Sequence, residues 1–179
     1  MSETETPAIF IDLEGALIEV RPGRERPAFS MQPAVDEGLR RLAELTDTIV
    51  ALVEPAPSGS RPRPSARLVG SRASMVQGGP KILFVGCPHT TGRCRCAKPY
   101  PGLIELAASE HGIPLTGAWH ITSDALGVQA GRAAGLKTIR IGPHAGDPES
   151  AVHRPDYEAR DLLDAANWIL VQALGQPTA

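Results

Sequence analysis

The stretch "AIFIDLEG", residues 8–15, is a short apolar run that stops at a carboxylate. Such a run is typical of a buried strand that ends in a polar loop. Segments typical of helices separate it from four similar apolar stretches, "TIVALV", "KILFVG", "AWHITSD" and "KTIRIG". Because parallel neighbours need crossover connections, this alternation predicts an α/β fold: a three-layer α/β/α Rossmann-like arrangement around a central parallel five-stranded sheet.

The segments between the strands carry helix signals. "PAVDEGLRRLAELT", residues 33–46, has aliphatic residues at helical spacing and Pro33 near its start. Two further helices are predicted to close at Gly112 and Gly135, and an apolar helix is predicted over residues 160–174.

The totals describe an ordinary globular chain. Its 179 residues, 42% hydrophobic and 21% charged, predict a single domain over residues 1–179 with its core at 7–142. A net charge of −2 argues against nucleic-acid binding, which needs concentrated Lys and Arg. The polar start "MSETETP" is unlike a signal peptide, and no apolar run could cross a bilayer, so a cytoplasmic protein without membrane contact is expected.

Residues 54–80 differ in composition, being rich in Pro, Gly, Ser and Arg. They predict a long excursion without helix or strand. Its arginines could hold a phosphate or a partner, but a solvated loop is the favoured interpretation; they are Arg61, Arg63, Arg67 and Arg72.

All three cysteines lie in "CPHTTGRCRC", residues 87–96. Cys87, His89, Cys94 and Cys96 supply three thiolates and one imidazole, the ligand set of a closed tetrahedral zinc site. With every ligand from the protein, the Zn²⁺ would be structural and would staple the loop. The alternative is free thiols or a redox pair, although Cys94-x-Cys96 lacks the usual dithiol spacing. The other histidines, predicted to be surface or packed residues and not ligands, are His111, His120, His144 and His153.

Several chemically capable residues follow strand ends. Ligands of such sheets sit beyond the carboxyl ends of the strands, where Asp12, Cys87 and Asp124 are expected. Asp12 and Glu14 could act as nucleophile or metal ligand beside a proton donor and acceptor, with Lys98 following the cysteine loop. A cation among carboxylates suits a phosphate and Mg²⁺. Each carboxylate could equally be a loop residue or, for Asp124, a helix cap.

Three segments, "IFIDLEGALI", "CPH...CRCAKPYPGL" and "TSDALGVQAGRAAG", together resemble the haloacid dehalogenase (HAD) superfamily of phosphohydrolases. More narrowly they resemble its zinc-loop branch without a large cap domain, which contains heptose bisphosphate and histidinol-phosphate phosphatases. The resemblance implies that Asp12 forms an aspartyl phosphate and that residue 14 is the acid and base. It also implies that Mg²⁺ is held by Asp12, the carbonyl of Glu14 and Asp124, and that Lys98 neutralises the phosphoryl group of a small phosphorylated metabolite.

Four positions depart from the family pattern. Glu14 replaces an Asp, Glu54 stands where a Thr or Ser is usual, Ala97 replaces an Arg, and Val128 replaces an acidic residue. Together they touch proton transfer, phosphate binding and metal support. Two hypotheses therefore stay open: a phosphatase of weakened activity, and a catalytically inactive relative that binds a ligand or a protein partner.

Overall fold

The structure is a computed structural model that describes residues 7–21, 28–55, 76–89, 94–143 and 154–175. Its centre is a six-stranded parallel sheet in the order β5-β4-β1-β6-β7-β8. The strands of this sheet are β1 (Ile9–Asp12), β4 (Thr48–Val53), β5 (Lys81–Gly86), β6 (Trp119–Thr122), β7 (Lys137–Ile141) and β8 (Tyr157–Ala159). A separate two-stranded antiparallel sheet joins β2 (Ile18–Arg21) to β3 (Ala28–Met31).

The central strands are buried on both faces, which makes their sequences continuously apolar. Along β1, Ile9 and Ile11 belong to one buried cluster, whereas Phe10 belongs to the other. In β4, Ile49 and Ala51 likewise belong to the first cluster, whereas Val50 and Leu52 belong to the second. The predicted three-layer α/β/α arrangement with a parallel sheet is confirmed.

Within the described residues, four α-helices cover the sheet. Helices α1 (Val35–Leu42) and α4 (Leu162–Leu174) pack against each other and contribute to the first cluster. Gly38 permits this close approach, since an added Cβ would lie 2.7 Å from Leu162 Cγ. Helices α2 (Gly102–His111) and α3 (Ala125–Ala133) contribute to the second cluster. The predicted C-terminal helix begins at Leu162, where the Asp161 side chain accepts a hydrogen bond from the Asp164 amide at 2.9 Å.

All five predicted strands are present, and β8 and the β2–β3 sheet are additions that the sequence pattern did not indicate. Strand β8 has only three residues, "YEA", too few to show a hydrophobic period. It is held at the sheet edge by pairing with β7 and by Tyr157, whose ring stacks on Trp168 with centroids 4.7 Å apart. A short polar strand is therefore specified by its tertiary partners.

Parts of the sequence predictions fall outside the described residues. These are most of the 54–80 excursion with its four arginines, positions 90–93 of the cysteine loop, and His144 and His153. The single-domain assignment of residues 1–179 stays a prediction. Within the ranges given above, no helix combines the length and the apolar character needed to cross a bilayer.

Candidate functional site

Asp12 lies at the carboxyl end of β1, between β4 and β6, and is 2% exposed. Its two carboxylate oxygens have different partners. His120 Nε2 lies 2.9 Å from Oδ1, and Lys98 Nζ lies 2.6 Å from Oδ2. The carboxyl end of a central parallel strand is where α/β proteins place ligands, so Asp12 lies at a position typical of ligand sites.

The Lys98 ammonium contacts three carboxylates of the site. Besides Asp12, it lies 2.8 Å from Asp124 Oδ2 and 3.2 Å from Glu54 Oε1. Asp124 follows β6 and Glu54 follows β4, so strand ends distant in sequence meet at one ammonium. The structure thus brings together the predicted site residues Asp12, Lys98 and Asp124. It also places with them Glu54, which the sequence analysis named as a departure from the family pattern.

These charges shift one another's pKa values. Burial alone would raise the pKa of Asp12, but the electrostatic interactions and hydrogen bonds with His120 and Lys98 outweigh burial and hold this pKa well below its ordinary value. For Lys98, burial favours the neutral form, yet the three surrounding carboxylates raise its pKa far above the ordinary value. Asp12 is therefore an anion and Lys98 a cation at neutral pH.

Glu54 behaves differently from Asp12. Burial is the main cause of its raised pKa, and the negative charges of Asp12 and Asp124 add to it, while Lys98 acts in the opposite direction. A carboxylate so placed takes up a proton more readily than a free glutamate does. In its ionised form, Glu54 weakens the positive potential that Lys98 would otherwise present to an anionic ligand.

Glu14 lies in the turn Leu13–Leu17 that follows β1. Its backbone is extended, at φ −83° and ψ 135°, and its side chain is half-buried. The next residue, Gly15, has φ 84°, and an added Cβ there would collide with the Ser123 hydroxyl. Gln32 Nε2 also donates to the Gly15 carbonyl at 3.3 Å. The backbone that carries Glu14 is therefore held against the loop that carries Asp124.

The two carboxylate oxygens of Asp124 make different contacts. Its Oδ1 accepts a hydrogen bond from the Gly127 amide at 2.7 Å, which caps helix α3, while Oδ2 contacts Lys98. The capping interpretation and the site interpretation are thus both compatible with one side chain. Val128, at the position where an acidic residue is usual, is fully buried in α3, and Ala97, beside Lys98, is exposed.

The cysteine loop forms a second cluster. The ligand atoms of Cys87, His89, Cys94 and Cys96 all lie within 4.8 Å of one another. Cys87 Sγ is 3.3 Å from Cys94 Sγ and 3.4 Å from His89 Nδ1, which is 3.5 Å from Cys96 Sγ. A tetrahedral Zn²⁺ with sulfur ligands at about 2.3 Å has ligand-to-ligand edges of about 3.8 Å. The four side chains therefore fit a zinc ion.

The thiols of this cluster are not equivalent. Burial is the main cause that raises the pKa of Cys96 to about 12. A hydrogen bond from the Cys96 backbone is the main cause that lowers the pKa of Cys94. A coordinated cation would be needed to keep the Cys96 sulfur as a thiolate near neutral pH.

Sequence reasoning missed the contact between His120 and Asp12. His120 is only 1% exposed, which agrees with a packed residue, but it touches the carboxylate predicted to be the nucleophile. The alternation of side chains along the paired strands could have indicated this contact. His120 is paired with Phe10 in the sheet register, and Phe10 and Asp12 share a face, so His120 points to the face of Asp12.

Known proteins resemble this chain in fold and, over a short stretch, in sequence. No family model matches the sequence. The D-glycero-beta-D-manno-heptose-1,7-bisphosphate 7-phosphatase of Pseudomonas aeruginosa is 32% identical over 66 residues, which span 36% of this chain and only 37% of that enzyme. This similarity covers little more than a third of either chain.

Similarity in structure extends much further. The D,D-heptose 1,7-bisphosphate phosphatase from B. bronchiseptica, solved with magnesium and phosphate, matches with a TM-score of 0.68 at 19% identity, over 93% of this chain and 99% of that one. A HAD-superfamily hydrolase from Ehrlichia chaffeensis matches with a TM-score of 0.59 at 15% identity, over 96% and 100% of the two chains. The chain therefore has the α/β fold of these solved haloacid dehalogenase superfamily hydrolases.

Proposed function

We propose that this chain is a magnesium-dependent phosphatase that hydrolyses a small phosphorylated metabolite through an aspartyl phosphate on Asp12. The observation that carries the proposal is the position of the Lys98 ammonium, 2.6 Å from Asp12 and 2.8 Å from Asp124 at the carboxyl edge of the sheet. The likeness to a heptose bisphosphate phosphatase solved with magnesium and phosphate supports it.

Asp12 would supply the nucleophile. Its low pKa keeps the carboxylate ionised, and an oxygen of that carboxylate would form a bond to phosphorus as the bond to the leaving oxygen breaks. Lys98 would neutralise charge on the phosphoryl oxygens. In phosphoryl transfer, positioning and charge neutralisation carry most of the rate, and a carboxylate at a buried strand end beside a lysine offers both.

Glu14 would handle the protons. In the first step its carboxylic acid gives a proton to the leaving oxygen, and in the second its carboxylate takes a proton from the water that attacks the aspartyl phosphate. Inorganic phosphate and the free Asp12 carboxylate result. The extra methylene of Glu14 compared with Asp displaces the carboxyl group by about an ångström, a change that can cost about a hundredfold in rate. Weakened activity is therefore proposed.

The residues at the site also fit Mg²⁺. Three carboxylates converge on the point where the Lys98 ammonium lies, and oxygen donors of this kind are the ligands that Mg²⁺ prefers. Asp12, Asp124 and the carbonyl of Glu14 would hold the ion. When bound, it would supply positive charge for the phosphoryl oxygens. The cysteine-loop zinc, with four protein ligands, would have a structural function only.

A second candidate function is supported by Glu54. Its carboxylate lies 3.2 Å from Lys98 Nζ, where it competes with a substrate phosphate for that ammonium. Such a contact suits a non-catalytic relative that keeps the fold and binds a ligand or a protein partner. Four departures from the family pattern, at Glu14, Glu54, Ala97 and Val128, favour the same reading.

One assay separates the two candidates. Purified protein is incubated with Mg²⁺ and a panel of phosphate esters, and phosphate release is compared between the unmodified chain and the Asp12→Asn variant. We expect release that depends on Mg²⁺ and that Asp12→Asn abolishes. Equal, slow release by both proteins would reject the enzymatic function.

The reverse experiment restores the family residues. Glu14→Asp combined with Glu54→Thr is expected to increase phosphate release, because the acid returns to its usual reach and the competing carboxylate is removed. If the double variant remains as inactive as Asp12→Asn on every ester, the non-catalytic function is the better description.

A further inference from the structure

We infer that His120 is a positioning residue for Asp12: its Nε2–H donates to Oδ1, fixes the carboxylate and leaves Oδ2 directed at Lys98. This inference rests on the proposed function, since it assigns a task to a residue of the same site. It differs from the roles already described because His120 would touch neither the phosphate nor the metal.

The backbone places the two side chains. Strands β1 and β6 are parallel neighbours, with Phe10 opposite His120 and Ile11 opposite Ile121. His120 therefore lies one pleat before Asp12 on the same face of the sheet. The ring spans that step, and its Nε2 reaches Oδ1 at 2.9 Å, the usual length of such a hydrogen bond.

The surroundings select one tautomer. A carboxylate oxygen accepts hydrogen bonds, so the 2.9 Å contact between Nε2 and Oδ1 places the proton on Nε2. Nδ1 is buried and has no hydrogen-bond partner in the part of the chain that the structure describes. A Cβ added to Gly131 would lie 2.7 Å from Nδ1 and 2.8 Å from Thr138 Cγ2, so helix α3 and β7 close on this edge of the ring. A proton on Nδ1 would find no acceptor among these groups.

As a consequence, the two oxygens of Asp12 have different roles: Oδ1 anchors the carboxylate, and Oδ2 faces the site. Oδ1 is held from inside the sheet by His120, which is 1% exposed. Oδ2 faces the Lys98 ammonium, whose side chain is 12% exposed and lies nearer to the solvent. A carboxylate held at one oxygen cannot rotate freely, so Oδ2 is presented to phosphorus in a fixed direction.

The first measurement needs no activity. Two-bond proton–nitrogen correlations in the ¹⁵N-labelled full chain report which ring nitrogen of His120 carries the proton. We expect the Nε2–H tautomer near neutral pH, with its Nε2–H resonance shifted in Asp12→Asn. A proton on Nδ1 alone, or a spectrum that Asp12→Asn leaves unchanged, would overturn the inference.

The second measurement uses kinetics. His120→Leu removes the donor and is expected to lower kcat by about a hundredfold while KM stays within about twofold, because orientation and not binding is lost. His120→Gln keeps an amide donor near the Nε2 position and should recover kcat to within about tenfold of the unmodified chain. The matched control is His111→Leu, at an exposed residue of α2, which should leave both constants unchanged.

The outcomes separate this inference from the proposed function. If the unmodified chain releases no phosphate from any ester, the phosphatase proposal fails, and the tautomer spectrum alone then decides whether His120 holds Asp12. If the chain is active and His120→Leu equals it in kcat, the phosphatase proposal stands and the inference about His120 is wrong. If His120→Leu does not fold, two measurements still decide the inference: the kcat of His120→Gln and the tautomer spectrum of the unmodified chain.

Discussion

Replacing Lys98 by Met tests whether the ammonium is what makes a buried Asp12 tolerable. The variant keeps most of the side-chain volume and removes the charge that lies 2.6 Å from Asp12 Oδ2. Asp12 is 2% exposed, so water cannot replace the lost partner. The free energy of unfolding should fall because a buried carboxylate is left with less compensation.

The magnitude follows from the geometry. Two opposite charges 2.6 Å apart attract by about 6 kcal/mol at an effective dielectric constant of about 20, before desolvation is subtracted. Removing one partner of a buried pair costs about 3 to 5 kcal/mol. His120 still holds Oδ1 of Asp12, so we expect about 3 kcal/mol, the lower end of this range. The pair of Lys98 with Asp124 adds little, since Asp124 is half exposed and solvent screens it.

The assay is urea unfolding near neutral pH without added magnesium. Four proteins form a double-mutant cycle: the unmodified chain, Lys98→Met, Asp12→Asn and the combination of both changes. Lys98→Met should cost at least about 1 kcal/mol less when Asp12 is already neutral. The matched control is Lys81→Met, at an exposed lysine that begins β5, expected within about 0.5 kcal/mol of the unmodified chain.

Two results would refute the reasoning. The first is a Lys98→Met variant as stable as the Lys81→Met control, and the second is additivity of the two changes in the cycle. Either would mean that the carboxylate of Asp12 is not ionised and paired as the geometry indicates.

Four other outcomes are expected. Glu54→Thr should raise kcat/KM for phosphate esters by about tenfold, since it removes an anion 3.2 Å from Lys98, and an unchanged value would contradict the proposed competition. Gly131→Ala should lower the free energy of unfolding by about 1 to 3 kcal/mol, because the new methyl meets His120 and a second side chain at less than van der Waals distance; urea midpoints measure it. Elemental analysis should find about one equivalent of zinc in protein purified without chelator, and less than half of that in Cys96→Ser. Acid unfolding should show the charge of Asp12. Folding lowers the pKa of this carboxyl group from the ordinary 3.8, so the stabilisation by its charge is complete above that pH and is lost progressively below it. Asp12→Asn should therefore flatten the loss of unfolding free energy between about pH 4 and pH 2.

The sequence alone determined the layers of the fold and the identity of the chemical groups. Strands that are buried on both faces have continuous apolar runs such as "AIFI". This pattern can be recognised in the sequence without knowing which strands pair with each other. The ligand set of the cysteine loop is equally local, because four donors within ten residues have few other ways to meet. Asp12 and Asp124 could be placed at one edge because the carboxyl ends of parallel strands share it.

The tertiary structure decided which groups touch. That Lys98 contacts three carboxylates, Glu54 among them, depends on how the segments after β4, β5 and β6 meet at the carboxyl end of β1, and no spacing in the sequence encodes those distances. The pairing of His120 with Asp12 depends on strand order and register, which place residues 108 positions apart on adjacent strands. Strand order is set by packing across the whole sheet, so a histidine that looked like an ordinary packed residue became a partner of the candidate nucleophile.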